Sequence, residues 1–291
     1  MGLTVEDARR FYAEEIREIA EIRTDALVEA LARVPREAFL GPGPWQILRP
    51  FSRLPGDSLS YRTTPDADPR RLYHNTLVAI DQSRGLNNGQ PSANLSWIDA
   101  LQPKPGERVF HVGSGVGYYT AILAEAVGAT GSVLALEVDA GLADRARANL
   151  AAWPQVQLVT GDGASYDPGA FDVGYINCGA TKLMPTWLDN IAPGGRMHVP
   201  MTCDLPGANY GAMLLITRED GERWPARFTG GVGIYPCSGA RDEASNLALS
   251  EALKRGPNKL QSLRRDAHAR DESSCLMHQA AFCLSQLPPA H

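Results

Sequence analysis

The period of the apolar positions changes repeatedly along this chain, and each change marks the edge of an element. From Thr4 to Val34 apolar residues recur at helical spacing (Phe11, Ile16, Ile19, Ile22, then Leu27, Leu31 and Val34). Thr4 followed by Asp7 resembles a capping start, and Pro35 ends the pattern. Between Gly41 and Arg71 periodicity gives way to Pro, Gly, Arg and Asp, which predicts an irregular, lid-like surface segment. "YHNTLVAID" then reads as a short strand, and "PSANLSWIDALQP" as a helix that begins at its proline.

From Glu107 onward, short apolar runs alternate with helical stretches. "ERVFHVG", "SVLALEVD", "VQLVTGD" and "FDVGYINCG" read as strands, separated by helices in "GYYTAILAEAVG" and "AGLADRARANLAAW". "MPTWLDNI" is a further helix leading into the turn "APGGR"; "MHVPM", "GAMLLITRE" and "ARFTGGVGIYPC" continue as strands. A helical stretch, "EASNLALSEALKR", and a less regular end follow, with the terminal "LPPAH" frayed. The alternation predicts an α/β fold, a doubly wound sheet with helices on both faces. Three units are expected: an N-terminal helix and irregular segment (1–84), a core (85–223), and a last strand with a C-terminal helical extension (224–291).

Composition narrows the function classes. A chain of 291 residues, 44% hydrophobic, is long enough for a sizeable core. Its net charge of −5, without a basic run, argues against nucleic-acid or membrane-surface binding. No apolar run approaches the ~20 residues of a membrane span, and the N-terminus lacks a signal-peptide core. The five cysteines (Cys178, Cys203, Cys237, Cys275 and Cys283) are odd in number and never arranged as CxxC. They read as reduced thiols of a cytoplasmic protein, not as a disulfide framework or a zinc site, so no metal is expected.

Candidate chemistry concentrates in "VFHVGSGVGYYTAILA". A buried strand runs into Gly113, Gly115 and Gly117, and a helix opens directly after them. Glycines there allow a tight turn and close approach to a ligand, beside amide donors at the helix start. The next strand ends at Glu137, placed to accept hydrogen bonds from both ribose hydroxyls of an adenosyl ligand. The third ends in "GDG", which puts Asp162 on the same edge, within reach of an adenine amino group. The spacing G-x-G-x-G departs from the dinucleotide form G-x-G-x-x-G, so a nucleoside is a better ligand than a pyrophosphate.

Taken in order, "VPREAFLGP", "GQP" before a helix, "GSGVGYYTAILA", "LEVD", "GDG", "FDVGYINCGAT" and "APGGRMHVPM" resemble the protein-L-isoaspartate O-methyltransferases. The resemblance runs from about Leu27 to Ile216 and implies a Rossmann-like carboxyl O-methyltransferase dependent on S-adenosyl-L-methionine, with S-adenosyl-L-homocysteine as product. It implies that Gly113, Ser114, Gly115 and Gly117 line the methionine part of the cofactor, with Tyr118 or Tyr119 covering it. Glu137 would hold the ribose beside Val138, Asp162 and Gly163 the adenine side, and Asn177 and Cys178 would face the site.

One departure is pointed. The repair family reads Ser-Gln-Pro or Ser-Ala-Pro before the helix, its serine lying beside substrate and methyl donor; here that position is Gly89. An ionised carboxylate attacks in line without a strong base, so the site needs donors that orient it in a dry pocket. Asn88, the Gly89 N–H, Gln90 and Ser92 are the candidate substrate-positioning groups, although Asn87-Asn88-Gly89 also reads as a plain turn. Arg241 is a weaker candidate clamp for a carboxylate, with pairing to Asp242 or Glu243 the default. His74 and His111 are read as loop and core residues, and Cys178 has no activating neighbour. The expected partner is a peptide or protein carboxylate: isoaspartyl, aspartyl or C-terminal. The alternatives are a methyltransferase acting on a small molecule or RNA, and a cofactor-binding adaptor without activity.

Overall fold

At the N-terminus a capping box forms as the Thr4–Asp7 spacing predicts. The Asp7 N–H donates to Thr4 Oγ1 at 3.1 Å and the Thr4 N–H to Asp7 Oδ2 at 3.0 Å, opening helix α1 (Val5–Ala20). The helical run does not continue to Val34 as one piece. Glu21 turns left-handed at φ 50°, and the buried Asp99 carboxylate accepts the N–H groups of Arg23 and Thr24 before α2 (Asp25–Arg33) begins. The buried face of α1 is Ala8, Tyr12, Ala13 and Ile16, whereas Phe11 and Ile19 are 72% and 54% exposed. Small residues on that face let α1 lie close to its neighbours, which decides the orientation.

The computed structural model describes residues 2–49, 60–205, 208–220, 223–269 and 272–289. Part of the irregular lid-like segment, 50–59, and the end of the frayed terminus, 290–291, lie outside them. After α3 (Glu37–Leu40), strands β1 (Gln46–Leu48) and β2 (Tyr61–Thr63) pair antiparallel, as do β3 (Ala79–Asp81) and β4 (Leu86–Asn87). The fully buried Arg36 organises the approach to β3, donating to the carbonyls of Leu72 (2.5 Å), His74 (3.0 Å) and Thr76 (2.7 Å).

The core follows the expected alternation: α4 (Pro91–Asp99, proline in its first turn), β5 (Arg108–Val112), α5 (Tyr118–Val127), β6 (Ser132–Glu137), α6 (Ala140–Asn149), β7 (Val156–Thr160), β8 (Phe171–Ile176) and α7 (Pro185–Asn190). Two long strands, β9 (Ile191–Leu205) and β10 (Ala208–Thr217), and then β11 (Ala226–Gly233) complete a seven-stranded sheet of order β11-β10-β9-β8-β5-β6-β7. Strands β5 to β9 run parallel, and β10 and β11 are antiparallel additions. The expected turn "APGGR" is absorbed into β9 as an irregularity: Phe171 and Val173 of β8 face Ile191 and Arg196, with Gly194 at φ 77° between them.

Alternation along β5 sends Val109 to one core, with α1, α2 and α5, and Phe110 and Val112 to the other, with α7. The second core also takes in the tail. Helix α8 (Glu243–Lys254) contributes Leu249 and Ala252, and a small sheet of β12 (Ser262–Arg264), β13 (Cys275–His278) and β14 (Cys283–Ser285) adds Leu263, Leu276, Met277 and Leu284. That sheet stands where the sequence pattern suggests only an irregular end; strands of three or four residues are too short to show a period.

Candidate active site

Because β5, β6, β7 and β8 are parallel, their carboxyl ends share one edge, and the chain reverses direction across the sheet between β5 and β8. Ligands of open α/β sheets bind at such a switch point. A cavity of about 1050 Å³ opens there. The glycine loop forms its floor: the Gly113 and Ser114 N–H groups donate to the Leu136 carbonyl at 2.9 and 3.1 Å, and Gly113, Gly115 and Gly117 all have positive φ. A Cβ on Gly115 would meet nothing within 4 Å among the described residues, so the absent side chain leaves open space at the ligand edge. Gly117 does other work. It lies outside the cavity lining, and a Cβ there would come within 2.9 Å of Leu150, so it lets α5 pack against the end of α6.

Glu137 is buried, and its carboxylate accepts from the Gly115 N–H at 2.7 Å and the Asp139 N–H at 3.0 Å. Burial pushes its carboxyl above the ordinary range, against those amide bonds. Its position ties the end of β6 to the glycine loop. Val138 beside it is 59% exposed and lines the cavity. Asp162 accepts from the Ala164 N–H at 2.9 Å, and the Gly163 carbonyl is held by the Trp187 indole at 2.8 Å. Gly113, Ser114, Tyr118, Asp162, Gly163, Asn177 and Cys178 all line the same cavity. Cys178 shares a thiol hydrogen bond with Cys237, and that bond with burial holds its thiol well above the ordinary value, so it is no thiolate nucleophile.

The opposite wall is the stretch before α4. Asn87 Oδ1 accepts the Gly89 N–H at 2.9 Å, an Asx turn, so that amide is already occupied and does not face a ligand, contrary to the sequence expectation. Asn88 is 7% exposed; its Oδ1 accepts the Val78 N–H at 2.8 Å, and its Nδ2 has no partner among the described residues. A buried amide donor without a partner, in a cavity wall, is the kind of group a ligand satisfies. Gln90 also lines the cavity. Ser92 does not: it sits one residue into α4, its N–H bonded to Asn75 Oδ1 at 3.0 Å, and it lines a shallow depression with Ile19 and Glu21.

Four contributors escape the sequence reading. Asn94 in α4 donates to the Gln90 carbonyl at 3.0 Å and accepts from the Tyr175 hydroxyl at 2.9 Å, which lies 3.2 Å from Asn177 Oδ1. Asp204, Asn209 and Tyr235 come from the β9–β11 side, and Tyr235 closes over the wall by donating to the Gly85 carbonyl. An ion pair between Arg84 and Asp139, at 2.5 Å, spans the two walls. Arg241 is neither a free clamp nor paired with its neighbours. It donates to Gly179 O at 2.6 Å, Thr202 Oγ1 at 3.0 Å and Asp204 Oδ1 at 2.7 Å, tying the tail to the sheet. His74 is exposed and outside the cavity, and His111 is buried against Thr120 Oγ1 at 3.0 Å.

A family model described as protein-L-isoaspartate(D-aspartate) O-methyltransferase matches residues 64–223. Among similar proteins, the protein-L-isoaspartate O-methyltransferase of Methylorubrum populi is 32% identical over 234 residues, covering 79% of this chain and 95% of that protein. The protein of that name from Methanopyrus kandleri is 29% identical over 199 residues, 67% of this chain and 76% of its own. Two solved structures share the fold. One is a protein-L-isoaspartate O-methyltransferase (TM-score 0.60, 20% identity, 89% of this chain and 74% of that one). The other is a Plasmodium falciparum protein assigned to the same activity, in complex with S-adenosyl-L-homocysteine (TM-score 0.59, 17% identity, 79% and 98%).

Proposed function

The chain belongs to the protein-L-isoaspartate(D-aspartate) O-methyltransferase family, and from that premise we propose that Asn88 orients the carboxylate it methylates. It is an S-adenosyl-L-methionine-dependent carboxyl O-methyltransferase acting on a protein or peptide. The residues present suit that cofactor: open space at Gly115, an acceptor carboxylate at Glu137 and a deep cavity between them and the Asn88 wall. Gly113, Ser114 and Gly115 would take the amino-acid part, Glu137 with Val138 the ribose, and Asp162 with Gly163 the adenine. The bound cofactor supplies an electrophilic methyl group on a positively charged sulfur.

What remains for the protein is alignment. A substrate carboxylate, with an ordinary pKa near ~4, is already ionised at neutral pH, so no side chain need remove a proton. The Nδ2 of Asn88, without a partner among the described residues, carries the proposal: it offers one neutral donor that fixes an oxygen without neutralising it. Tyr118, Tyr119, Leu142 and Val232 give the same space apolar walls, a setting in which that hydrogen bond would be stronger than in water. We further propose that the substrate is a specialised carboxylate rather than any isoaspartyl site, since the repair family's serine position here is Gly89, where a Cβ would lie 2.5 Å from Asn94 Nδ2. A cytoplasmic site of action is part of the same reading, supported by five free thiols. So is the absence of a nucleic-acid substrate, supported by the net charge of −5.

The test is transfer of a labelled methyl group to an isoaspartyl peptide, its aspartyl control and a free C-terminal peptide, beside calorimetry with S-adenosyl-L-homocysteine. Base-labile label on a peptide carboxylate is expected, with binding weakened at least about 10-fold in Glu137→Ala. Label in RNA alone would refute the carboxylate assignment, and undiminished binding by Glu137→Ala would refute the ribose assignment.

A further inference from the structure

Beyond the family-matched residues, the tail brings together His268, Cys275, His278 and Cys283. One ligand atom from each lies within 4.8 Å of every other, with both thiols buried and both imidazoles half-buried. In sequence the four are scattered as H-x6-C-x2-H-x4-C, a spacing unlike a paired CxxC, which is why the chain reads as metal-free until it is folded. The convergence has a structural cause. Cys275 and His278 stand three apart on β13, and a regular strand would send them to opposite faces. The register of β13 against β14 shifts between Cys275 and Met277, which re-phases the strand and returns both side chains to one side. His278 lies directly opposite Cys283 across the β13–β14 pair, and His268 closes the fourth corner from the segment after β12.

The donor atoms are set for coordination. His268 Nε2 is 3.3 Å from Cys275 Sγ, and the two thiol sulfurs are 2.8 Å apart. The rings of His268 and His278 meet edge to face at 4.8 Å. His268 Nδ1 faces the Asp266 carbonyl at 2.9 Å, which requires the proton on Nδ1 and leaves the Nε2 lone pair aimed into the cluster. Metal-bound histidines are fixed in this manner by a carbonyl on their other nitrogen. Asp266 is held in turn by Arg264, whose guanidinium also binds Glu272 at 2.6 Å, so the supporting residues are themselves anchored.

We propose that this cluster is a structural zinc site. Two thiolates and two imidazoles make a tetrahedral S₂N₂ set with no position left for water or substrate, the arrangement of closed, structural zinc. A tetrahedral ion with metal–sulfur bonds of about 2.3 Å holds two sulfurs about 3.8 Å apart. Loading therefore spreads the thiols by about 1 Å, within reach of a side-chain rotation, while each thiol gives up its proton. The site also answers a stability question. The three strands it joins have three, four and three residues, too short for a sheet that stands by itself. A metal tying them together would hold the tail against α8 and, through Trp224, Leu263 and Phe282, against the second core. The proposal does not depend on the methyltransferase reading.

The experiment measures metal in the full chain purified from zinc-supplemented medium without chelator. About one zinc per chain is expected, replaceable by Co(II) with the visible d–d bands of a tetrahedral site and sulfur charge-transfer absorption. Cys275→Ser/Cys283→Ser should lose the metal, whereas Cys203→Ser, a buried thiol outside the cluster, should keep it. Since the double variant also removes two core thiols, a second readout uses unmodified protein: titration with a thiol-specific mercurial should release zinc in step with thiol modification. Protein that holds neither zinc nor Co(II), zinc retained by the double variant, or a Cys275–Cys283 disulfide recovered from protein alkylated without reductant would each overturn the proposal.

Discussion

A side chain at position 89 would collide with Asn94, because a Cβ there would lie 2.5 Å from Asn94 Nδ2. Asn94 cannot easily retreat: it is buried, bonded to the Gln90 carbonyl at 3.0 Å and to the Tyr175 hydroxyl at 2.9 Å. Gly89 also has φ 73°, a conformation that costs a side chain about 1 kcal/mol. The serine that the repair family carries at this position is therefore disfavoured here unless Asn94 gives way, and the glycine and asparagine form a matched pair. Gly89→Ser alone should lower stability by about 2–4 kcal/mol. Adding Asn94→Ala should recover part of that loss, with a coupling of about 0.5–2 kcal/mol in a denaturant double-mutant cycle. Strictly additive effects would show that the two positions do not constrain each other.

Asn88 separates binding of the substrate from binding of the cofactor. Asn88→Asp keeps an oxygen for the Val78 N–H, at 2.8 Å in the native protein, but replaces the free amide donor by a negative charge. The introduced charge would repel a substrate carboxylate. Catalytic efficiency on the peptide substrate should fall about 100-fold or more, as for the loss of a charge-orienting donor. Affinity for S-adenosyl-L-homocysteine should change less than about 3-fold, within the scatter of remote substitutions. Equal losses in both measurements would place Asn88 on the cofactor instead.

The floor of this site was readable before folding and its far wall was not, for a physical reason. Gly113 to Gly115 and Glu137 each follow or end a strand in a local strand–loop–helix unit, and Asp162 follows directly on the end of β7, so their positions follow from short-range pattern. Asp204, Asn209 and Tyr235 reach the cavity from the end of β9, its antiparallel neighbour β10 and the segment after β11, a pairing no local pattern encodes. The four zinc-ligand candidates depend on one strand irregularity between Cys275 and Met277. The N-terminal helix shows a subtler limit: its apolar spacing fits more than one face, and Tyr12 with Ala8 and Ala13, rather than Phe11 and Ile19, proves to be the packed one. The same distance effect hid Arg36, whose partners lie 36 to 40 residues away.

Arg36 makes a prediction of its own. Its guanidinium is fully buried and donates to the carbonyls of Leu72, His74 and Thr76, just ahead of the Val78 amide that holds Asn88. Lysine has the charge but a single nitrogen, and it cannot fork between carbonyls in this fixed geometry. Arg36→Lys should cost about 2–4 kcal/mol in urea unfolding, through the carbonyls left without a donor. Among molecules that remain folded, KM for the carboxylate substrate should rise more than the dissociation constant for S-adenosyl-L-homocysteine. A stability loss below about 1 kcal/mol would mean that the buried fork is not an anchor.

Two buried histidines set an acid limit on the fold. His111, enclosed against Thr120 and Tyr175, has its pKa lowered from 6.5 to about 3 by burial. His198, whose Nδ1 is 2.8 Å from the Trp97 carbonyl and whose Nε2 is 2.8 Å from Thr229 Oγ1, is lowered to about 4, again chiefly by burial. The unfolded chain takes up these two protons near pH 6.5, but the folded chain resists them until pH 3–4. Their contribution is therefore complete above pH 6.5 and drains away as the pH falls towards 4. Each histidine adds a slope of up to about 1.4 kcal/mol per pH unit in that window. The raised carboxyl of Glu137 acts in the opposite sense, as one group against two. The strongly depressed Asp68 and Asp242, at about 2, lose their contributions only at lower pH. The urea midpoint at constant m should fall steadily from pH 7 to 5. In His198→Gln, which keeps a donor for the Trp97 carbonyl and does not titrate, the slope should be roughly halved. An unchanged midpoint between pH 7 and 5 in the native protein would show that neither imidazole is kept neutral by the fold.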